Sequence, residues 1–261
     1  MKNIIILSVL TFMLIDKVQA QEKNQITITI LYDNYLFSEG LKTDWGFSCI
    51  VKGTEKTILF DTGTNSDILF YNINKLNVNP EDVELVALSH NHTDHTGGLL
   101  SFLGKNNKVS VYIPASFPES FVRKVKETKA EVIPVEKPVE ICKDVFLTGE
   151  IGTQIIEQSL ILNTSKGLIV ITGCAHPGIV DIIKRAKEIL NKKVYLAFGG
   201  FHLDSKSERE VENIISDFRD LEVINAGPTH CTGDKAIELF KKEYGENFVQ
   251  MGVGKVLQIS Y

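Results

Sequence analysis

The sequence predicts a layered α/β protein built on mixed sheets, and three observations carry that reading. Ile26, Ile28 and Ile30 alternate with Thr27 and Thr29, the period-2 pattern of a strand with one buried face. Early β-rich segments come as hairpins, whereas from residue 159 onward strands alternate with helices, so both antiparallel and parallel pairing are expected. No Pro/Gly/Ser-rich linker divides residues 21–261, which places these elements in one domain.

The elements follow in order. Residues 46–51 and 57–60 are β-rich and flank Lys52-Gly53-Thr54-Glu55, a hairpin turn. Residues 65–77 read as helix, because Ile68, Leu69, Ile73 and Leu76 recur at helical spacing. Residues 83–88 form a short apolar strand that runs straight into His90. A helix follows, then β-rich pieces at 109–113, 132–135 and 139–147, with 119–150 a candidate lid or pocket wall. In the second half, 159–163 and 168–172 are strands and 178–190 is an amphipathic helix. Residues 193–198 are then a strand, 207–221 a helix, 222–226 a strand and 234–244 a helix, and 255–260 closes the chain as a strand.

The 261 residues are 43% hydrophobic, enough to build a full core. The formal net charge is −5 and the lysines and arginines are scattered, which excludes a nucleic-acid footprint and a polybasic membrane patch. The N-terminus reads as a signal peptide, residues 1–20: Lys2, an apolar run over 4–15, then Val18-Gln19-Ala20 as a cleavage site. That run is too short to span a bilayer, so the expectation is an exported, periplasmic or secreted chain beginning near Gln21 with no stable membrane anchor. Four cysteines show no disulfide framework. Cys174 and Cys231 each lie beside a histidine in a Gly-rich turn and are candidates to line a site, whereas Cys49 and Cys142 read as core or surface residues.

All six histidines follow apolar strands. His90, His92 and His95 crowd together with Asp94, and His176, His202 and His230 each sit beside glycine after a later strand. Functional groups in layered α/β folds gather at strand ends, where loops aim them into one crevice. His90 and His92, two apart in extended chain, point the same way and can hold one metal. Asp94 and His95 lie one turn further on and can serve a neighbouring metal. Imidazole and carboxylate suit zinc foremost, with iron and manganese compatible with the same donors. Two divalent ions so placed would clamp a hydroxide. Gly97-Gly98 lets the backbone pass close to this site. Asp61 ends another strand in a turn with Gly63; it reads either as a helix cap or as an acceptor that fixes a ligand imidazole.

His90-x-His92-x-Asp94-His95, preceded by Asp61-Thr62-Gly63, resembles the metallo-β-lactamase superfamily. The segments GFS at 46–48, TGCAHPGI at 172–179, GGFHL at 199–203 and PTHCTG at 228–233 are similar to one branch, the group named after 7,8-dihydropterin-6-ylmethyl-4-(β-D-ribofuranosyl)aminobenzene 5′-phosphate synthase. The resemblance implies an αββα sandwich of two mixed sheets flanked by helices, with a dinuclear site at one edge. It also exposes a departure. Most superfamily hydrolases carry a middle histidine and then a Thr-Gly-Asp whose carboxylate bridges the metals. Here no histidine lies between His95 and His176, and Cys174 stands where that aspartate would be. The implied ligands are His90, His92 and His176 for one ion and Asp94, His95 and His230 for the other, with Cys174 a weaker candidate and Asp61 behind them. His202 is left as a substrate contact, a proton donor or a replacement ligand.

The function expected is a metal-dependent hydrolase acting on an ester, lactone, amide or phosphate ester of a small molecule, with Asp94 and His202 as its catalytic groups. The alternatives are a pterin phosphate condensation or an iron-dependent oxidoreductase on the same scaffold, and a metal-binding protein without catalysis.

Overall fold

The computed structural model describes residues 25–260, so the signal peptide expected at 1–20 lies outside the described residues. Two mixed sheets stack face to face. The first runs β13-β1-β2-β3-β4-β5-β6: β1 (Gln25–Tyr32), β2 (Ser48–Lys52), β3 (Ile58–Phe60), β4 (Leu85–Ala87), β5 (Ser110–Pro114), β6 (Glu131–Val135) and β13 (Val256–Ser260). β1 is antiparallel to both β13 and β2, and β2 to β3, while β3 to β6 are parallel. The second runs β12-β11-β10-β9-β8-β7: β7 (Val139–Cys142), β8 (Val145–Leu147), β9 (Leu160–Thr164), β10 (Gly167–Thr172), β11 (Val194–Gly200) and β12 (Asn225–Thr229). Here β10, β11 and β12 are parallel and the rest antiparallel.

Side-chain alternation explains the layering. Ile26, Ile28 and Ile30 of β1 are buried between the sheets with Phe60, Leu160, Leu162, Ile169 and Phe198, while the intervening Thr27 and Thr29 are only partly covered. Each such fully buried aliphatic or aromatic side chain contributes roughly 1.5–3 kcal/mol. The outer face of the first sheet is covered by α1 (Ser66–Lys75), α3 (Leu99–Leu103) and α4 (Glu119–Glu127) through Leu69, Phe102 and Val125. The outer face of the second is covered by α5 (Ile179–Leu190), α6 (Glu208–Asp220) and α7 (Asp234–Tyr244). There Phe201, Phe218 and Phe240 pack with centroids 5.2–5.6 Å apart. A capping box starts α6, with Ser207 and Glu210 satisfying each other's backbone donors, an arrangement worth about 1 kcal/mol.

Several elements differ from the sequence reading. The piece at 139–147 is two strands, because Lys143-Asp144 turns the chain and Asp144 takes φ 61°. The helix after the histidine cluster is split into α2 (Thr93–Thr96) and α3, separated by Gly97-Gly98. A Cβ at Gly97 would lie 2.7 Å from the Thr64 carbonyl carbon and one at Gly98 would run into Thr62 O, so the glycine pair permits close packing of this turn on the 61–64 loop. Residues 119–127 form α4, whose strongly polar sequence hid its apolar stripe. The strand expected at 222–226 begins three residues later, at Asn225, and its Gly-Pro-Thr end is fully buried.

The carboxyl ends of the parallel strands all open at one edge. Asp61 follows β3, His90 follows β4, Cys174 follows β10, His202 follows β11 and His230 follows β12. That is the edge where α/β sheets place their sites.

Candidate metal centre

The deepest layer is a set of buried imidazoles whose outward-facing nitrogens are tied down. Asp61, fully buried at φ 54°, accepts from Ser89 N and Ser89 Oγ, both at 2.7 Å, and from His95 Nδ1 at 2.7 Å. Helix α1 is capped by Asn65 instead, so Asp61 takes the role of imidazole acceptor. Because Ser89 Oγ donates to Asp61, it accepts from His90 Nδ1 at 2.9 Å. Asn34 gives its Nδ2 to His230 O, so its Oδ1 accepts from His230 Nδ1 at 2.9 Å and from Gly46 N at 3.1 Å. In all three rings Nδ1 is therefore the nitrogen that donates outward, and Nε2 faces inward, where a bound cation would take the place of any proton it carries.

Those inward nitrogens converge. His95 Nε2 lies 3.1 Å from Cys174 Sγ and 3.5 Å from Asp94 Oδ2. His230 Nε2 lies 3.4 Å from the same sulfur and 3.3 Å from the same carboxylate oxygen. Asp94, His95, Cys174 and His230 thus present four donors within 4.8 Å of one another. His90, Cys174 and His176 form a second such group, and Cys174, His202 and Cys231 a third. His90 Nε2 and His176 Nε2 are buried with no hydrogen-bond partner. An orphaned buried nitrogen costs of the order of 1–3 kcal/mol, and a cation is what would satisfy two of them beside a thiol. The donor set fits a divalent metal of borderline softness.

Every expected ligand reaches this edge. The His92 ring packs on His90 and His176, with centroids at 4.6 and 4.9 Å, and lies on the exposed rim outside the three tight groups. His202, exposed at φ 53°, packs tilted against His176, with centroids 4.3 Å apart. Cys174, expected as the weaker candidate, is the one atom common to all three groups.

Electrostatics follow from this crowding. Burial and the neighbouring His95, His176 and His92 hold His90 far below the usual imidazole range. Burial, then His202 and His92, lower His176 to about 4, so both rings are neutral and ready to ligate. Burial would raise Asp94, but hydrogen bonds from His230 and His95 outweigh it and keep the carboxylate ionised. Burial opposes charge on His95 too, yet the ion pair and hydrogen bond with Asp61 raise it to about 10.

One supporting residue escaped the sequence reading. Glu157, fully buried, accepts four consecutive backbone N–H groups of the ligand loop. Its Oε1 takes Gly173, Cys174 and Ala175 at 3.1, 3.0 and 2.9 Å, and its Oε2 takes His176 at 2.9 Å. Burial raises its pKa to about 7 against these donors. The only sequence signal was a carboxylate three residues before an apolar strand. Asn34, Ser89 and Trp45 were also missed; the Trp45 ring lies 5.0 Å from that of His230 at the mouth.

Comparisons with known proteins bear on the family and the fold. The profile of the Metallo-beta-lactamase superfamily matches residues 46–173. A Methanocaldococcus jannaschii protein named 7,8-dihydropterin-6-methyl-4-(beta-D-ribofuranosyl)-aminobenzene-5'-phosphate synthase is 29% identical, over 90% of this chain and 97% of its own. An uncharacterized protein of the same organism is 30% identical over 89% of this chain and all of its own. Among solved structures, Tm1679, described as a metal-dependent hydrolase of the beta-lactamase superfamily, is 30% identical. It superposes with a TM-score of 0.77 over 90% of this chain and all of its own.

Proposed function

Because the chain belongs to the metallo-β-lactamase superfamily, we propose that it is a metal-dependent hydrolase acting on a small molecule at this edge. The observation that carries the reading is the pair of buried, unpartnered Nε2 atoms of His90 and His176, set against Cys174 and Asp94. His90, His92 and His176 would hold one ion, and Asp94, His95 and His230 a second, with Cys174 Sγ within reach of both sets. Zinc suits these donors first, and iron or manganese also. Bound there, divalent ions would supply a water of lowered pKa and polarisation of a scissile ester, lactone, amide or phosphate-ester oxygen.

The chain's own residues do the rest. Asp61, Ser89 and Asn34 fix the orientation of the inner rings, so their Nε2 atoms already face the site before it loads. The ionised Asp94 carboxylate, its side chain 17% exposed, would orient an attacking water. A cleft of about 280 Å³ beside His92, lined by Asn91, Ser116, Phe117, Gln154 and Ile155, carries no lysine or arginine and suits an uncharged substrate moiety.

A second reading, condensation on a pterin phosphate, is favoured by the synthase name of the 29% identical relative. One experiment separates the two. Metal content of the purified chain is measured, and turnover of ester, lactone, amide and phosphate-ester panels is compared with that of a pterin phosphate, with and without chelator. Chelator-sensitive hydrolysis supports the proposal; metal-dependent condensation without hydrolysis overturns it.

A further inference from the structure

We propose that Cys231 and His202 are metal ligands which, with Cys174, form a Cys₂His subsite that takes a thiophilic divalent ion through two sulfurs. The inference rests on the metal-binding part of the reading above and on no choice of reaction. Cys174 Sγ, Cys231 Sγ and a ring nitrogen of His202 lie within 4.8 Å of one another. Both thiols are buried, at 3% and 5% exposure, and Cys231 Sγ also approaches Cys174 O at 3.5 Å. His202 stands on the exposed side, so the three protein donors leave a fourth tetrahedral position toward solution.

The backbone builds this trio from three strand ends that are bonded to one another. Thr172 Oγ1 donates to Gly200 O at 2.8 Å, and Gly200 N donates to Gly173 O at 3.0 Å. Phe201 N donates to Thr232 Oγ1 at 3.0 Å, while Thr232 Oγ1 donates to Thr229 O at 2.6 Å. The turn carrying His202 is therefore locked to the one carrying Cys231 and to the one carrying Cys174. Gly200 makes the approach feasible: a Cβ there would sit 2.7 Å from Cys231 Sγ. His202 itself holds a left-handed φ of 53°, a conformation that costs a histidine energy and directs its ring to this corner. Soft thiolates select zinc, cobalt or cadmium over the hard ions that carboxylates prefer.

The test titrates the purified full chain, stripped by chelator and kept reduced with a phosphine, with Co²⁺ alone and Cd²⁺ alone. The expected result is a near-ultraviolet thiolate-to-metal band that falls by about half in Cys231→Ser, since the thiolate is the ligating form. His202→Ala is expected to keep the band and to weaken Cd²⁺ binding on the order of tenfold or more. An undiminished band in Cys231→Ser overturns the proposal. The cadmium NMR shift of the unsubstituted chain gives a second reading that needs no variant: a two-sulfur environment supports the subsite and a one-sulfur environment overturns it. A chain that binds neither ion refutes the metal centre itself, whereas one-sulfur binding refutes this inference alone.

Discussion

His95 Nδ1 stands 2.7 Å from Asp61 Oδ2 with both side chains sealed from solvent, and this contact links the first parallel strand end to the metal edge. Asp61 also anchors Ser89, which orients His90, so one carboxylate sets two inner rings. In Asp61→Asn the amide keeps one oxygen for Ser89 N but loses the charge opposite His95. Metal affinity, measured by chelator competition, should fall about 10–100-fold with the fold retained, as for other acceptors that hold ligand imidazoles. Unchanged affinity would show that His95 needs no such support.

Glu157 should matter more to the ligand loop than to the fold. In Glu157→Gln, one oxygen can still accept from Gly173, Cys174 and Ala175, but the new NH₂ faces His176 N–H, donor against donor. We expect metal affinity to drop about tenfold, with a smaller loss of stability than in Glu157→Ala. The alanine leaves four buried donors, at roughly 1–3 kcal/mol for each that water fails to reach. Thermal unfolding and metal competition on both variants check the ordering.

The same residue carries a pH signature in the metal-free chain. Burial raises Glu157 from an ordinary 4.5 to about 7, so the folded state binds its proton more tightly than the unfolded state. That contribution is full below about pH 4.5 and is lost as pH rises through about 7. Denaturant melts of the metal-free chain across this window should lose stability with rising pH relative to Glu157→Gln. Parallel curves for the two proteins would remove Glu157 as the source.

Much of the site was legible because metal chemistry marks sequence directly. His90, His92, Asp94 and His95 are dense in the chain, and the three later histidines each follow an apolar strand beside glycine. The strands read clearly where burial imposes alternation, as at Ile26, Ile28 and Ile30. What stayed hidden depends on distant contacts. Cys174 looked like a minor donor because nothing local shows that His95, His176, His202 and His230 all turn toward its sulfur. Glu157 and Asn34 bond backbone and rings many residues away, and no spacing rule points to such partners. The cysteine pair Cys174 and Cys231 is 57 residues apart in sequence and is brought together only by the parallel pairing of β10, β11 and β12.

Export is open to a direct check. If residues 1–20 are removed on secretion, intact mass and N-terminal sequencing of the chain recovered from its native host should begin at Gln21. Recovery with Met1 or Lys2 intact would refute the cleavage.

The single tryptophan supplies a local probe of loading. Trp45 is about half exposed, and its ring centroid lies 5.0 Å from that of His230, whose Nε2 faces Cys174 and Asp94. Its backbone is held in place, since Trp45 O accepts from Thr64 Oγ1 and the next amide, Gly46 N, bonds to Asn34 Oδ1. Asn34 in turn accepts from His230, so one side chain ties the backbone beside Trp45 to that ring. Any ion that recruits His230 therefore changes the field and contacts at the indole, and an open-shell ion such as Co²⁺ should quench it. Intrinsic fluorescence, with no other indole to dilute it, should fall in a saturable phase on adding Co²⁺ to the metal-free chain. Chelator should reverse the change, and His230→Ala should abolish its tight component while Trp45 still emits. A Co²⁺ response that persists unaltered in His230→Ala would mean the ion near Trp45 is held by other groups, and His230 would leave the ligand set.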